Sequence, residues 1–235
     1  MPTYRIDLHS HCQGDPVDDL EHTIHEHIDH AQACGLHALA LTWHQRIFDD
    51  TAAIAYAQER GILLIPGVET ELHGRMHTLA LNAHAGDIPG ACTLEDLRAF
   101  RQDPNHFVLA PHPYYPHWSC LRSVIDEHPD CFDGVEWCHY HTDWIPRGLN
   151  PNERARRWAE RNHKPLIACS DAHDLQGLGR FYSEVEAEEL SAPAIFAALR
   201  ANRVRFTPRP MTASYFLHKS GKIITSVMRG ILPSR

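Results

Sequence analysis

The sequence predicts one α/β domain, built as a barrel or as an open sheet covered by helices. Short apolar runs alternate with segments of helical periodicity along the 235 residues, a pattern that indicates strands joined through helices. Most of the runs are continuous rather than alternating, which is typical of strands buried on both faces. No linker, repeat or low-complexity tract divides the sequence, so we expect one core.

Seven apolar runs are the expected strands, and most of them are followed by side chains that can bind a metal ion. The runs cover residues 4–8, 38–41, 62–65, 78–81, 107–110, 134–137 and 166–169. The side chains that follow them are His9 and His11, His44, Glu69, His112, His139 and His141, and Asp171 and His173. Residues i and i+2 of an extended strand share a side. Because the carboxyl ends of strands build the active site of an α/β barrel, we expect these side chains to converge.

Five segments between and after the strands have helical features. They cover residues 19–34, 50–60, a segment opened by the capping residue Thr93, 152–161 and 191–200. The apolar face of the first helix is formed by Leu20, Ile24, Ile28 and Ala31. Four histidines lie mostly off that face and are expected to be solvated, namely His22, His25, His27 and His30.

Composition excludes several classes of protein. The formal charge is −8, and no run of about 18 apolar residues is present, so we expect no membrane span. The first residues lack the apolar core of a signal peptide. Seven cysteines without a CxxC pair are typical of reduced thiols in a cytosolic protein. The sequence therefore predicts a cytoplasmic location.

Twenty histidines are the compositional anomaly of the chain. Histidine is the commonest metal ligand and titrates near neutral pH. Imidazoles combined with carboxylates, without a clear set of thiolates, favour Zn, Mn or Fe over a sulfur-rich structural site.

The C-terminal part of the chain is basic. From residue 205 onward it contains no acidic residue and six basic ones, Arg205, Arg209, Lys219, Lys222, Arg229 and Arg235. Such a segment can steer nucleic acid, or it can pair with the acidic body of the protein. We expect a barrel over residues 1–206 and a basic extension, residues 207–235, that packs on the barrel or trails from it.

Five short motifs carry a resemblance to a known family. They are DLHSH at 7–11, ALTWH at 40–44, PGVE at 66–69, APHP at 110–113 and CSDAH at 169–173. In this order, over most of the chain, the motifs resemble the PHP (polymerase and histidinol phosphatase) family. The resemblance implies a distorted (β/α)7 barrel that holds two or three divalent metal ions, usually as a phosphoesterase.

The resemblance also implies which residues bind the ions. The expected ligands are His9, His11, Asp15, His44, Glu69, His77, His112, Asp171 and His173, with Asp18 as the alternative to Asp15. Glu69 matches the glutamate that bridges two ions. The expected catalytic residues are Glu69, Asp171 and His173, and the attacking group is a hydroxide between two ions.

Two departures from the family pattern concern the substrate side. The family reads TDH where this chain reads Thr42-Trp43-His44, so one carboxylate is missing, and Trp43 is open to a role as a pocket wall or as a stacking surface. His139 and His141 have no family counterpart and are open to roles as substrate contacts, as partners of the ligands or as polar surface. Arg46 and Arg180 lie near motifs and are candidates to bind a phosphate, or are surface charges.

The sequence favours hydrolysis of a small phosphorylated metabolite or nucleotide. Three ions carry +6 against −3 from Asp15, Glu69 and Asp171, and the remaining charge of about +3 attracts an anion. A 3′–5′ exonuclease or phosphodiesterase is the alternative, disfavoured because the barrel shows no basic stripe with interleaved aromatic residues. A metal-binding scaffold without activity, and hydrolysis of a C–N bond, are further alternatives. The last lacks a lysine near a strand end to bridge two ions.

Overall fold

The protein is described by a computed structural model that covers residues 1–141, 146 and 148–211. Its strands are β1 (Thr3–Asp7), β2 (Ala38–Leu41), β3 (Leu63–Leu72), β4 (Met76–Leu81), β5 (Ala91–Cys92), β6 (Phe107–Ala110), β7 (Gly134–Trp137), β8 (Leu166–Ala168), β9 (Ser183–Glu186) and β10 (Val204–Arg205). Its helices are α1 (Ile24–Ala33), α2 (Thr51–Glu59), α3 (Leu94–Phe100), α4 (Ser123–Glu127), α5 (Pro151–Asn162) and α6 (Ala192–Arg200), with a 3₁₀ turn at Pro129–Cys131.

Seven strands form a nearly closed barrel. β1, β2 and β3 are parallel neighbours, and so are β6, β7 and β8. β4 joins these two groups. On the other side, an isolated bridge between Ser10 and Ala172 places the segment after β8 beside the segment after β1, and the His11 N–H donates to the Ala172 carbonyl at 2.9 Å. The predicted distorted (β/α)7 barrel is confirmed.

The direction of β4 differs from the predicted parallel arrangement. β4 is antiparallel to both of its neighbours, because a tight turn at His73 and Gly74 reverses the chain directly after β3. His77 is the second residue of β4. Its position at the start of an antiparallel strand places it at the same end of the barrel as residues that follow the parallel strands.

β3 continues well beyond its predicted end at residue 65. Pro66 and Gly67 have the composition of a strand end, but both lie inside β3, where Pro66 pairs with Leu41. A Cβ atom on Gly67 would lie 3.2 Å from the Ala80 carbonyl oxygen, so glycine allows β3 and β4 to approach closely. Glu69 is therefore a residue within a buried strand and pairs with Leu79.

The sequence did not predict the short strands at the edges. β9 pairs with β1 in antiparallel register, and β10 pairs with β9. β5 pairs with β3. Their alternating or two-residue patterns carry little apolar signal.

α1 begins later than predicted. Thr23 and Glu26 form a capping box, with each side chain bonded to the other residue's backbone N–H. Residues 19–22, including Leu20, therefore precede the helix. The expectation that the helix histidines are solvated is wrong for His27, which is fully buried, and His22 is half-buried.

The core consists of three apolar clusters. One joins the strands to the apolar face of α6, where the Phe196 ring packs on the Phe107 ring. A second packs α3, α4 and α5 on β6 and β7 around the fully buried Trp158. A third packs α1 and α2 on β2 and β3. The helices thus enclose the barrel and leave the ends of the strands for the site.

Within the described part of the chain, no helix combines the length and the apolar character needed to cross a membrane. The predicted extension 207–235 is described only to residue 211, whose N–H donates to the His141 carbonyl at 2.8 Å. Lys219, Lys222, Arg229 and Arg235 lie outside the described residues.

Candidate metal centre

Glu69 lies at the centre of a cluster of histidines. Its side chain is 1% exposed. The Oε2 atom is 3.3 Å from Nε2 of His9, 3.3 Å from Nε2 of His11 and 3.2 Å from Nε2 of His44. The Oε1 atom is 2.6 Å from Nδ1 of His77 and 3.5 Å from Nε2 of His112. One buried carboxylate therefore faces five imidazoles that come from different segments of the barrel.

Asp171 adds a second carboxylate to this cluster. Its Oδ1 atom lies 3.3 Å from Nε2 of His9 and 3.6 Å from Nε2 of His11. Asp171 has a φ of 46°, a conformation that asparagine and aspartate adopt more readily than most residues. Its N–H donates to the His9 carbonyl at 2.9 Å, and this hydrogen bond fixes the strained residue against the HSH segment.

Asp15 contacts the histidines from the outside of the cluster. Its Oδ2 atom lies 2.9 Å from Nδ1 of His11 and 3.0 Å from Nδ1 of His44. Both rings therefore present Nε2 to Glu69 and Nδ1 to Asp15. This is the arrangement of a carboxylate that orients metal-binding imidazoles, although Asp15, Asp18 and His44 together also offer a possible set of ligands.

His173 lies at the rim of the site. Its ring stacks on the His11 ring with centroids 4.4 Å apart, and its Nε2 atom lies 2.9 Å from Oδ2 of Asp18. Its side chain is 31% exposed, whereas those of His9 and His11 are fully buried. His173 is therefore the histidine of the cluster most accessible to a molecule arriving from solvent.

The cluster has the donor chemistry of a site for several divalent ions. Ligand atoms in four overlapping groups lie within 4.8 Å of one another, namely His9–His11–Asp171, His9–Glu69–His112, His44–Glu69–His77 and His11–His44–His173. The Oε1 atom of Glu69 is buried without a hydrogen bond to the described residues, despite the short distance to His77. The lone pairs of these two atoms repel one another at this distance, and either a proton on the imidazole or a cation that binds both atoms would offset the repulsion. The residues present fit a metal centre.

The ionisation of the cluster also shows the need for positive charge. Burial disfavours the charged form of His9, but Asp171, Glu69 and Glu136 outweigh burial and raise its pKa well above the ordinary value. In the same way, neighbouring carboxylates overcome burial and raise the pKa of His11 to about 10. Burial opposes ionisation of Glu69, yet the surrounding histidines hold its pKa well below the usual range. Without metal, protons compensate the carboxylates, and binding of a cation would release those protons.

The predicted substrate-binding residues are placed differently from one another. Arg46 is exposed, donates to the Gly14 carbonyl and lies over the Trp43 ring, 4.5 Å from its centroid. His139 is buried, with Nδ1 3.9 Å from Oδ2 of Asp171. Arg180 lines a cavity of about 120 Å³ together with Tyr182 and Arg209, and none of the predicted metal ligands lines that cavity. Among the three, His139 is the one for which the described residues show a contact with a predicted ligand, Asp171.

Trp43 has a structural contact network in place of the missing aspartate. Its indole N–H donates to the Cys12 carbonyl at 3.2 Å, and the ring packs edge-on against Phe48. A Cβ atom on Gly14, which has a φ of 100°, would lie 2.9 Å from this ring. Trp43 therefore packs against the loop that carries Asp15.

Three residues around the ligands, Glu136, Asp7 and Cys120, were not identified as site residues from the sequence. Asp18 was identified only as the alternative to Asp15. Glu136 and Asp7 are fully buried, and Cys120 is almost so. The Cys120 sulfur lies 3.5 Å from Nδ1 of His112. Burial raises the pKa of Asp7 to about 7, and its Oδ1 accepts the Ser170 N–H at 3.0 Å. For Asp7 and Glu136 the signal in the sequence was a carboxylate within an apolar run.

The fold and the site together define a nearly closed α/β barrel with a buried histidine–carboxylate cluster that could hold metal ions. A family model described as PHP-associated matches residues 150–204. A search of the curated proteins found no match.

Several solved structures share the fold. One is a two-domain protein from Bacteroides vulgatus that contains a predicted PHP-like metal-dependent phosphoesterase (21% identity, TM-score 0.60, 86% of this chain and 64% of that chain). Another is the lesion-specific endonuclease Q from Pyrococcus furiosus (16%, 0.60, 85% and 56%). A third is an amidohydrolase from Chromobacterium violaceum with bound sulfate and no metal (21%, 0.58, 89% and 99%).

The predicted resemblance to the PHP family is confirmed by the PHP-associated match and by the shared barrel. The chain spans less than two thirds of the length of the first two of these relatives. At these identities the structural likeness shows the fold, and the three relatives differ in what their names say they act on.

Proposed function

We propose that this protein is a metal-dependent phosphoesterase that hydrolyses the phosphomonoester of a small metabolite or nucleotide. The observation that carries the proposal is the position of Glu69, whose two carboxylate oxygens face separate groups of imidazoles. A carboxylate in this position is suited to bridge two cations, which is the arrangement used for in-line displacement at phosphorus. The PHP-like phosphoesterase among the structural relatives supports the same class of reaction.

The residues that would hold the ions fall into two neighbouring sets, His9–His11–Asp171 and His44–Glu69–His77. Glu69 joins the sets, because it also contacts His9 and His11. Asp18 lies at the rim, where its Oδ2 atom contacts Nε2 of His173. The ions, when bound, would make a water molecule more acidic and neutralise the charge that develops on the phosphoryl oxygens.

Side chains of the barrel would supply orientation and protons. Glu69 and Asp171 would fix the ligands around the phosphoryl group, since Glu69 is buried among the histidines and Asp171 contacts His9. His173 would protonate the leaving oxygen, because it is the accessible imidazole of the cluster and Asp18 contacts its Nε2 atom. The leaving group would therefore depart toward the rim, where the site opens to solvent.

The net positive charge at the proposed ions is smaller than the sequence predicted, so it attracts an anionic substrate less strongly. Asp18 and Glu136 also contact ligand histidines. With Asp15, Glu69 and Asp171, these two residues make five carboxylates. Three divalent ions would therefore leave a net charge of about +1. The cavity that Arg180 lines contains three arginines, Arg180, Arg205 and Arg209, and one acidic residue, Glu184.

Two other activities are distinguishable by substrate. Endonuclease Q acts on nucleic acid, and the basic cavity would also attract a phosphodiester. Hydrolysis of a C–N bond, suggested by the amidohydrolase, would not involve a bridging lysine from the described residues. Lys164, the one lysine among them, donates to the carbonyls of Pro129 and Phe132.

The test is to supply the protein with Mn or Zn and to measure product release from three classes of substrate: phosphomonoesters, oligonucleotides and amides. We expect free phosphate from nucleoside monophosphates and sugar phosphates, with slower cleavage of oligonucleotides and of N-acyl amino acids. The variant Arg180→Ala should raise the KM for phosphomonoesters. The proposal would be contradicted if the protein cleaved oligonucleotides or amides but did not hydrolyse phosphomonoesters. It would also be contradicted if the protein bound metal and hydrolysed none of these substrates.

A further inference from the structure

Glu136 lies behind the histidines, on the side opposite Glu69. It is the third residue of β7 and is fully buried. Its Oε1 atom lies 3.3 Å from Nδ1 of His9, and its Oε2 atom accepts the backbone N–H of His112 at 2.6 Å. One carboxylate thus contacts two histidines from two different strand ends.

The contact with His9 decides which ring nitrogen faces the cluster. Nδ1 of His9 points to Glu136, while Nε2 points to Glu69 and Asp171, each 3.3 Å away. A carboxylate that accepts a hydrogen bond from Nδ1–H leaves the lone pair on Nε2. Nε2 is therefore the nitrogen available to a cation.

The contact with His112 holds a strained backbone. His112 has a φ of 30°, outside the regions that residues other than glycine usually occupy. Its N–H donates to Glu136, and its Nδ1 atom lies 3.5 Å from the sulfur of Cys120. The carboxylate thus keeps the Nε2 atom of His112 directed toward Oε1 of Glu69.

We propose that Glu136 is a positioning residue for the metal centre: its two buried oxygens fix the His9 ring and the His112 backbone so that both Nε2 atoms face the position where Glu69 would hold a cation. The inference rests on the proposed metal centre and goes beyond it, because Glu136 itself touches neither substrate nor ion. Both partners of Glu136 are donors, so the role requires two acceptors in one side chain.

This requirement separates positioning from simple packing. Glu136→Gln keeps the volume but replaces one acceptor by an amide donor. The amide would favour the His9 form that carries its proton on Nε2, where it blocks binding of the cation. Glu136→Asp keeps both acceptors with a shorter reach. A positioning role predicts that Asp preserves more metal affinity than Gln, whereas a packing role predicts the reverse.

The experiment is calorimetric titration of the metal-free full chain with Zn, for wild type, Glu136→Gln and Glu136→Asp. We expect Glu136→Gln to lose about 10–100-fold in affinity for at least one ion, on the scale of lost supporting contacts. In the Zn-loaded wild type, ¹⁵N NMR should show His9 protonated on Nδ1. That signal should weaken in Glu136→Gln.

Asp133→Asn is the matched control. Asp133 is also buried and accepts a backbone N–H, from Val108 at 2.8 Å, but it pairs with arginines away from the cluster. We expect this variant to lower the free energy of unfolding and to leave Zn affinity unchanged. If wild type binds Zn and Glu136→Gln binds it equally well, this inference alone is overturned. If wild type binds no divalent ion, the proposed function fails and the inference with it. Should Glu136→Gln not fold, Glu136→Met, which has a similar length and no carboxylate acceptor, takes its place, and wild-type Zn affinity and tautomer in Glu136→Met overturn the inference.

Discussion

The carboxylate of Asp15 accepts two hydrogen bonds from His44, one from the backbone N–H and one from Nδ1 of the ring, both 3.0 Å from Oδ2. The neighbouring position holds Trp43, where the family pattern has an aspartate. Asp15, on the loop between β1 and α1, therefore supplies a carboxylate beside His44 from a different part of the chain. The same oxygen also contacts His11, so Asp15 couples the orientation of two rings.

Asp15→Asn should weaken metal binding about 10–100-fold, on the scale that loss of a supporting contact costs. The amide offers one acceptor where the carboxylate offers two, and it carries no charge to hold the Nδ1 protons. Calorimetric titration of the metal-free protein with Zn measures the change. Asp50→Asn is the control, since Asp50 caps α2 and asparagine caps equally well. Unaltered Zn affinity in Asp15→Asn would show that the two histidines do not depend on Asp15.

The metal-free protein should lose stability as the pH rises above neutrality. The pKa of His11 is raised from 6.5 to about 10 in the folded protein. Its stabilising contribution is therefore complete below about pH 6.5 and is lost progressively as the pH approaches 10. Urea unfolding of metal-free protein at pH 7 and at pH 9 measures this. Zn-loaded protein, in which the cation replaces the protons, should show a smaller decrease. A metal-free protein more stable at pH 9 than at pH 7 would contradict the ionisation described for the cluster.

His27→Ala should destabilise the fold by about 1–3 kcal/mol, the cost of leaving buried polar partners unsatisfied. Nε2 of His27 lies 3.0 Å from Oγ of Ser10, between the two ligand histidines of the HSH segment, and Nδ1 lies 3.1 Å from His22. Burial lowers the pKa of His27 well below its ordinary value, so the ring is neutral. Chemical denaturation is the measurement. His25 lies on the same helix as His27, at an exposed position where its ring contacts the ring of Tyr56 from α2. His25→Ala should therefore change the free energy of unfolding little. Equal effects from the two variants would contradict the account.

The fold was predictable because the strong signals were local. Continuous apolar runs identified all seven barrel strands, and Thr93 and Asp50 marked helix starts that the structure shows. The direction of β4 was not predictable, since an apolar run reads the same for a parallel and an antiparallel strand. Glycine at position 67 looked like a strand end, whereas its role is a close approach to β4.

The site was predictable only where residues follow strands in recognisable motifs. Glu136 was missed because a single carboxylate within the run 134–137 resembles a solvent-facing residue of an edge strand. Its role depends on contacts with His9 and His112, which lie 127 and 24 residues away in the sequence. His27 was misjudged for a related reason: it lies on α1 facing Ser10, and no pattern within the helix shows that contact.

The most direct test of the account is Glu69→Gln, measured for metal content and phosphomonoester turnover in the same preparation. The substitution keeps the volume and removes the charge between the two groups of imidazoles. Glu71→Gln, two residues along β3 in a contact with Gln45, is the matched control and should behave like wild type. We expect Glu69→Gln to bind fewer ions than wild type and to lose at least about 100-fold in turnover. Wild-type metal content and turnover in Glu69→Gln would contradict the bridging role of Glu69 and the metal centre built around it.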